Sequence, residues 1–375
     1  MRIPRLVVLG VLAAIGCAVQ FQPGDYGEGS RLHDELDAGE VDAHVDVDAP
    51  PDAGADTEAG PRQRLFVFAG RNEYQEPAGD VWVATIDRSG IAREWERLQP
   101  GVFRGPVAAA TLAEEHVFLA MAAGERFVQY APLESGRLGF WKTTTAPIPV
   151  ATGGYASVFV GTNLLALGGA AGPPFEDRVW ISRFDADAGA FEPLVESSTK
   201  LPYGMAQMQV VTYKDFVYVL GGLAASADQS NRVFVARVDA EAGIGPLTAT
   251  ESAIDPVTGS RYTFSSSSTI CVAEGAPGKA RLILPGGMYS DVVLTSAIDE
   301  ETGLLGPWER GPTLPGPLDS PGCATYGGFF HLLGGSSTNL VLRARFDAEG
   351  KLGEWEVSLE ERLPAPRSRI TAFVY

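Results

Sequence analysis

The chain has 375 residues, a formal net charge of −18 at pH 7 and 45% hydrophobic residues. Most of such an acidic surface would repel a phosphate backbone or an anionic bilayer, so the charge argues against nucleic acid and acidic lipid as partners. The length fits two average domains or one large all-β domain, and internal repeats must decide between them.

The N-terminal segment has the features of a secretory signal peptide. Arg2 and Arg5 precede an apolar run that is too short to span a bilayer. The run ends in AIGC, which resembles the bacterial lipobox, where cleavage precedes a cysteine that carries the lipid. We therefore expect residues 1–17 to be a signal peptide, with lipidation at Cys17 and anchoring to the outer membrane on either its periplasmic or its outer face. Cleavage near Ala18, with a freely soluble product, is the alternative.

The next segment, residues 18–61, is rich in acidic residues and poor in large apolar ones. Asp and Glu far outnumber its single basic residue, Arg31. Such a composition buries too little apolar surface to offset the entropy lost on ordering. We expect a disordered acidic linker that holds the domain of residues 62–375 away from the membrane.

A strand that ends in a pair of small residues occurs six times after Arg62, as LFVFAG, VFLAMAA, LLALGG, FVYVLGG, RLILPGG and FHLLGG. Each copy continues with a second strand and a turn glycine, which together predict a hairpin. Five residues beyond the turn glycine, four copies carry a tryptophan and two do not. In chain order these positions are Trp95, Trp141, Leu194, Thr248, Trp308 and Trp355.

Four short strands in every roughly 50 residues are typical of a β-propeller blade. The glycine pair and the tryptophan that follows it resemble the kelch family over residues 62–375. This resemblance implies an all-β, six-bladed kelch-like propeller. The first copy lacks its innermost strand, and the C-terminal RSRITAFVY is predicted to supply it, closing the ring by pairing with RLFVFAG.

The loops of one propeller face, called here the loop face, vary in length between copies. A ligand would bind at these loops. Within these loops, arginine, aromatic and amide side chains suit contacts with proteins or glycans. The candidate ligand contacts are Arg71, Asn72, Tyr74, Phe175, Arg178, Asn231, Arg232, Tyr262, Tyr289, Arg367 and Arg369. No motif for nucleophilic, zinc or phosphate chemistry occurs, so we assign no catalytic residue, metal ligand or cofactor from the sequence.

These features predict an exported, monomeric module that binds a protein or polysaccharide at the loop face without catalysis. It would contact the membrane only through its N-terminal lipid. The alternative is a carbohydrate-modifying enzyme, similar to the carbohydrate isomerases among exported kelch-like proteins. Its site would lie at the propeller mouth, with Arg178 and Glu176 or Asp177 in acid and base roles.

Cys271 and Cys323 fall at equivalent places on the innermost strands of neighbouring copies. A disulfide needs Cα atoms within about 7 Å, which strands of different sheets seldom reach. We therefore interpret the two residues as packed free thiols, with a bridge, which export would permit, as the alternative.

Overall fold

The structure is a computed structural model. It describes residues 63–68, 70–72, 74, 79–98, 107–113, 115–121, 127–144, 154–170, 174–185, 188–224, 231–239, 243–262, 264, 268–287 and 290–375. The predicted signal peptide with its lipidation site Cys17, the whole predicted linker and the candidate Tyr289 lie outside these residues. None of the described residues forms a helix, so this part of the chain offers no helix able to cross a membrane.

Strands form where β-branched and aromatic residues recur between turn residues. Blade 1 contains β1 (Arg64–Phe68), β2 (Val81–Ile86) and β3 (Ala92–Leu98). Blade 2 contains β4 (Val107–Ala113), β5 (His116–Met121), β6 (Val128–Glu134), β7 (Arg137–Leu138) and β8 (Lys142–Thr143). Blade 3 contains β9 (Ala156–Val160), β10 (Asn163–Leu167), β11 (Val179–Asp185), β12 (Ala190–Phe191) and β13 (Val195–Glu196).

The second half of the ring repeats the same arrangement. Blade 4 contains β14 (Gln209–Tyr213), β15 (Phe216–Leu220), β16 (Val233–Asp239), β17 (Gly243–Ile244) and β18 (Thr248–Ala249). Blade 5 contains β19 (Cys271–Glu274), β20 (Ala280–Gly287), β21 (Ser290–Ile298) and β22 (Leu305–Arg310). Blade 6 contains β23 (Gly322–Tyr326), β24 (Phe329–Leu333), β25 (Thr338–Arg345) and β26 (Glu356–Arg367), and β27 (Thr371–Val374) follows it.

Each blade is an antiparallel sheet, and the six sheets together form a six-bladed β-propeller. The last strand, β27, does not join blade 6. It pairs with β1, so that blade 1 has the order β27-β1-β2-β3. Leu65 lies opposite Val374 and Phe68 opposite Thr371 in this pairing. The predicted ring closure by the C-terminal strand is therefore confirmed.

The core lies between the blades, and the repeated tryptophan belongs to it. Trp308 of blade 5 donates its Nε1–H to the carbonyl of Glu251 at 3.1 Å, in the segment that follows blade 4. Trp355 of blade 6 makes the same bond to the carbonyl of Pro312 at 3.0 Å, in the segment that follows blade 5. Each indole thus ties its blade to the preceding one.

In blade 4 the position equivalent to the tryptophan is Leu247, one residue before Thr248, the residue predicted from the sequence. The N–H of Gly245, two residues before Leu247, bonds to the carbonyl of Arg237. In blade 6 the N–H of Gly353, two residues before Trp355, makes the matching bond. Leu247 packs against the core between blades 3 and 4. Thr248, one residue further on, is exposed, because the stretch from the turn glycine Gly243 to Leu247 is one residue shorter than the matching stretch in the other copies.

The interpretation of Cys271 and Cys323 as free thiols is wrong, because the two residues form a disulfide. Their Cα atoms are 6.3 Å apart, inside the range that a disulfide requires. The innermost strands β19 and β23 converge toward the propeller axis, and this convergence brings residues of two different sheets within bonding distance. The bridge links blades 5 and 6.

Candidate functional site

The loop-face rim of the axial mouth is built from residues that precede the innermost strands by two positions. Four of them, Gly154, Gln207, Ser320 and Arg369, have left-handed backbone conformations with φ between 52° and 63°. Gln207 donates its N–H to the carbonyl of Gly154 at 2.5 Å, and Arg369 donates to Ser320 at 2.7 Å. These bonds join neighbouring blades, so hydrogen bonds between backbones fix the positions from which the side chains of the mouth extend.

Two candidate arginines, Arg71 and Arg369, come together at this mouth. Arg71 forms a β-bridge with Ser368, the residue just before Arg369. The pKa of the Arg369 guanidinium is lowered, first by burial and then by the positive charge of Arg71, while Asp319 opposes the shift. Two guanidinium groups therefore share a partly desolvated environment with one carboxylate, which makes this part of the mouth locally basic on an acidic protein.

Arg367, the neighbouring candidate, has a structural role. Its Nη2 lies 3.1 Å from Oδ2 of Asp80, and both side chains are nearly buried, with 11% and 12% of their area exposed. The other oxygen of Asp80 accepts from Arg97 at 2.5 Å. The sequence analysis did not identify Asp80, although the position directly before the equivalent strand also carries a charged side chain in blades 3 and 4, as Arg178 and Arg232.

Arg178 is held within blade 3. Its Nε and Nη2 donate to one oxygen of Glu176 at 2.9 and 2.6 Å. Its guanidinium lies 5.5 Å from the centre of the Trp180 ring. Asp177 pairs with Lys200 at 3.7 Å. The three groups named for acid and base chemistry are thus engaged in ion pairs.

The candidates of blade 4 divide into one buried and one exposed residue. Asn231 is buried, with 4% of its area exposed, and its backbone carbonyl accepts from the N–H of Ala253 at 2.9 Å. Arg232 is exposed and lies near Tyr203. Burial raises the pKa of Tyr203, and the positive charge of Arg232 offsets part of that rise. The buried hydroxyl of Tyr203 has no hydrogen-bond partner among the described residues.

Tyr262 lies in the long loop between blades 4 and 5 and borders a cleft of about 290 Å³. Its hydroxyl donates to the carbonyl of Gly286 at 2.9 Å, and burial raises its pKa to about 12. Asp255, on the same cleft, forms a bidentate pair with Arg310 at 2.9 and 2.5 Å. That pairing holds the pKa of Asp255 below its usual range. The carboxylate therefore stabilises the loop through its ion pair with Arg310.

The remaining described candidates lie on separate loops. Tyr74 is 75% exposed, and its N–H donates to Oδ1 of Asn72 at 3.0 Å. Phe175 is half-buried, and its carbonyl packs so closely on Gly204 that a Cβ there would lie 2.1 Å away. Among the described candidates, Arg71, Asn72, Tyr74, Arg367 and Arg369 belong to two segments that meet at the junction of blades 6 and 1.

The part of the chain that the structure describes contains no group of three or more His, Cys, Asp or Glu side chains arranged to hold a metal ion. What the mouth offers instead is hydrogen-bond donors on a fixed frame. Guanidinium groups at such a position bind carboxylates and other oxyanions through paired N–H donors.

No known protein-family profile matches the chain, and no curated protein matches it by sequence. Among solved structures, the chain is similar to one titled "Structure of YjhT", with 13% sequence identity. The alignment covers 72% of this chain and 88% of that one, with a TM-score of 0.49. The six-bladed architecture stated above rests on strand order and pairing, independently of this similarity.

Proposed function

We propose that the chain is an exported, lipid-anchored, kelch-like propeller that binds a protein or polysaccharide at its loop face without catalysis. The observation that carries the proposal is the meeting of Arg71 and Arg369 at the rigid mouth. The lowered pKa of Arg369 reflects burial and repulsion by Arg71. An acidic group of a ligand would favour the charged form of Arg369 and so oppose both causes of the lowered pKa. It would pair with guanidinium groups that have already lost part of their hydration.

Export is supported by the disulfide between Cys271 and Cys323. Disulfides persist in oxidising compartments and are rare where glutathione keeps thiols reduced. A signal peptide that ends in a lipobox would deliver the chain to such a compartment. The binding interpretation is preferred to the enzyme alternative because Arg178, Glu176 and Asp177 are engaged in ion pairs.

The binding proposal is tested on arrays of polysaccharides and of exported proteins. We expect a partner whose affinity falls at least tenfold in Arg71→Gln and in Arg369→Asn. Asparagine is chosen at position 369 because it tolerates a positive φ. Arg237→Gln is the control: it removes an arginine that is exposed and pairs with Asp215 in a turn on the opposite face. Binding that responds equally to all three variants, or no binding at all, would contradict the proposal.

The anchor is tested separately by mass spectrometry of the mature N-terminus. We expect a diacylglyceryl group on Cys17, and release of the Cys17→Ala protein into the soluble fraction. A mature N-terminus downstream of Cys17 without lipid would refute the anchor while leaving the binding proposal intact.

A further inference from the structure

Blade 3 carries a leucine where four other blades carry the interblade tryptophan. The equivalence is structural: Ser182 donates its hydroxyl to the carbonyl of Glu192 at 2.6 Å, two residues before Leu194. In blade 5, Ser296 donates to the carbonyl of Gly306 at 2.6 Å, two residues before Trp308. Leu194 and Trp308 therefore occupy the same place in their blades.

A cleft of about 210 Å³ lies at this place, between blades 2 and 3. Its floor is apolar and buried, formed by Val128, Tyr130 and Leu164. Leu194 and Phe191 line its side. An apolar cavity of roughly 150 Å³ in another protein suffices to bind benzene. The cleft, called here the Leu194 cleft, thus has room for an aromatic ring system.

The walls of the Leu194 cleft are aromatic and held in place. The rings of Tyr130 and Phe191 lie 5.5 Å apart and nearly perpendicular. Phe184 packs against both, at 5.4 and 5.2 Å. The Tyr130 hydroxyl donates to the carbonyl of Gly189 at 3.1 Å. Edge-to-face contacts of this kind favour a further aromatic ring over an aliphatic group of similar size.

The rim of the cleft is open to solvent. Thr143, Glu192 and Pro193 line it and are exposed. Two short outermost strands flank it: β8 pairs only with β6, and β13 only with β11, among the described strands. Outermost strands present backbone groups that an added peptide segment can use.

We propose that the Leu194 cleft binds the side chain of an exposed tryptophan on a partner polypeptide. An indole fills the equivalent space in blades 5 and 6, so the fold itself shows which group fits there. None of the six tryptophans in the sequence lines the cleft, so the proposed indole belongs to another molecule. The flanking strand edges would receive the partner's main chain. The site lies on the flank of blades 2 and 3 and is independent of the loop-face function proposed above.

The test uses ¹⁹F NMR titration of the full chain with 5-fluoroindole and with N-acetyl-5-fluorotryptophanamide. We expect both probes to bind, and Leu194→Trp to weaken binding at least tenfold because the new indole fills the cleft. Leu247→Trp is the matched control. It makes the same substitution at the equivalent position of blade 4 and should leave the affinity unchanged.

Binding of neither probe at millimolar concentration, or unchanged binding in Leu194→Trp, would overturn the proposal. Binding of 5-fluoroindole alone would overturn the polypeptide partner, because it would show a site restricted to small aromatic molecules. Where Leu194→Trp does not fold, Ala190→Phe replaces it. Ala190 is an exposed cleft residue, so a phenyl group there obstructs the cleft without entering the core, and a tenfold loss is expected again.

Discussion

Phe373 lies directly opposite Phe66 in the pairing of β27 with β1, and the two rings stack with centroids 5.2 Å apart. The ring of Phe68 also packs against Phe373, with centroids 5.3 Å apart. Segments about as far apart in the propeller sequence as possible thus build one blade. Among the described strands, no shorter-range pairing completes blade 1, so the ring is closed by the pairing of β27 with β1.

We expect deletion of Ile370–Tyr375 to unfold the propeller. The deletion exposes the backbone of β1 and removes its stacked aromatic partner. Buried backbone groups that lose their partners cost about 1 to 3 kcal/mol each, against a total stability of about 5 to 15 kcal/mol. Thermal unfolding followed by circular dichroism measures the effect. Deletion of residues 22–60 is the control and should leave the melting temperature almost unchanged; equal melting of the two truncations would contradict a ring closed by β27.

Reduction of the Cys271–Cys323 disulfide should lower the free energy of unfolding by about 2 to 4 kcal/mol, because the bridge closes a loop spanning 52 residues. The measurement is urea unfolding of Cys17→Ala protein that has been refolded with and without reductant. Thiol titration of the oxidised sample in denaturant should find no free thiol. In the control, Cys271→Ala with Cys323→Ala, reductant should change nothing, and an equal response of parent and control would speak against the bridge.

We expect His331 to make the free energy of unfolding depend on pH in the acidic range. It is fully buried, and burial followed by the charge of Arg343 lowers its pKa to about 3. An interaction with the backbone of Phe329 opposes this lowering of the pKa. The carboxylate of Glu361 lies 3.7 Å from His331 and accepts hydrogen bonds from Ala92 and Tyr326. The unfolded chain binds the proton near pH 6.5. The contribution of neutral His331 is therefore complete above about pH 6.5 and declines as the pH falls toward 3.

We expect the decline to reach at most about 1.4 kcal/mol per pH unit. His331→Phe keeps an aromatic ring and removes the titrating group, so its stability should fall less between pH 7 and pH 4.5. Urea midpoints at both pH values provide the comparison. Parallel losses in parent and variant would show that other groups, and not His331, control the acid response.

Asp80, which directly precedes β2, pairs with Arg97 in β3 and with Arg367 at the end of β26. Asp80→Ala should cost about 3 to 5 kcal/mol, since it leaves the guanidinium of Arg367, only 11% exposed, without its carboxylate. Arg97→Ala removes the other partner, whose side chain is 49% exposed, and should cost only about 0 to 1 kcal/mol. Chemical denaturation of both variants gives the two values. Similar losses would mean that the bond to Arg367 adds no more than a surface ion pair.

The blade count and the ring closure could be predicted because both follow from repetition. A copy that begins one strand late leaves an unpaired edge, and only RSRITAFVY was available to cover it. The repeat predicted the wrong residue in blade 4, because the stretch from the turn glycine Gly243 to the tryptophan-equivalent position, Leu247, is one residue shorter there. The disulfide was missed because the distance between two sheets depends on the convergence of the blades, which no single strand reveals.

The candidate site was predicted less well, because charge alone does not say whether an arginine faces a ligand or a carboxylate of its own fold. Arg178 and Arg367 belong to the second kind, through Glu176 and Asp80. Arg71 and Arg369 lie near each other at the mouth. Their proximity comes from the bridge between Arg71 and Ser368, a long-range contact that appears only once the ring is closed.

The position of β1 between β27 and β2 also has a mechanical consequence. A pull on the chain before Arg64 acts along the axis of a strand that is hydrogen-bonded on both sides. All of these bonds resist together in shear, whereas a strand at a sheet edge, pulled crosswise, would unzip one bond at a time. For a domain held by the proposed N-terminal anchor, drag on a bound partner would therefore be transmitted through a strand that resists in shear on both of its sides.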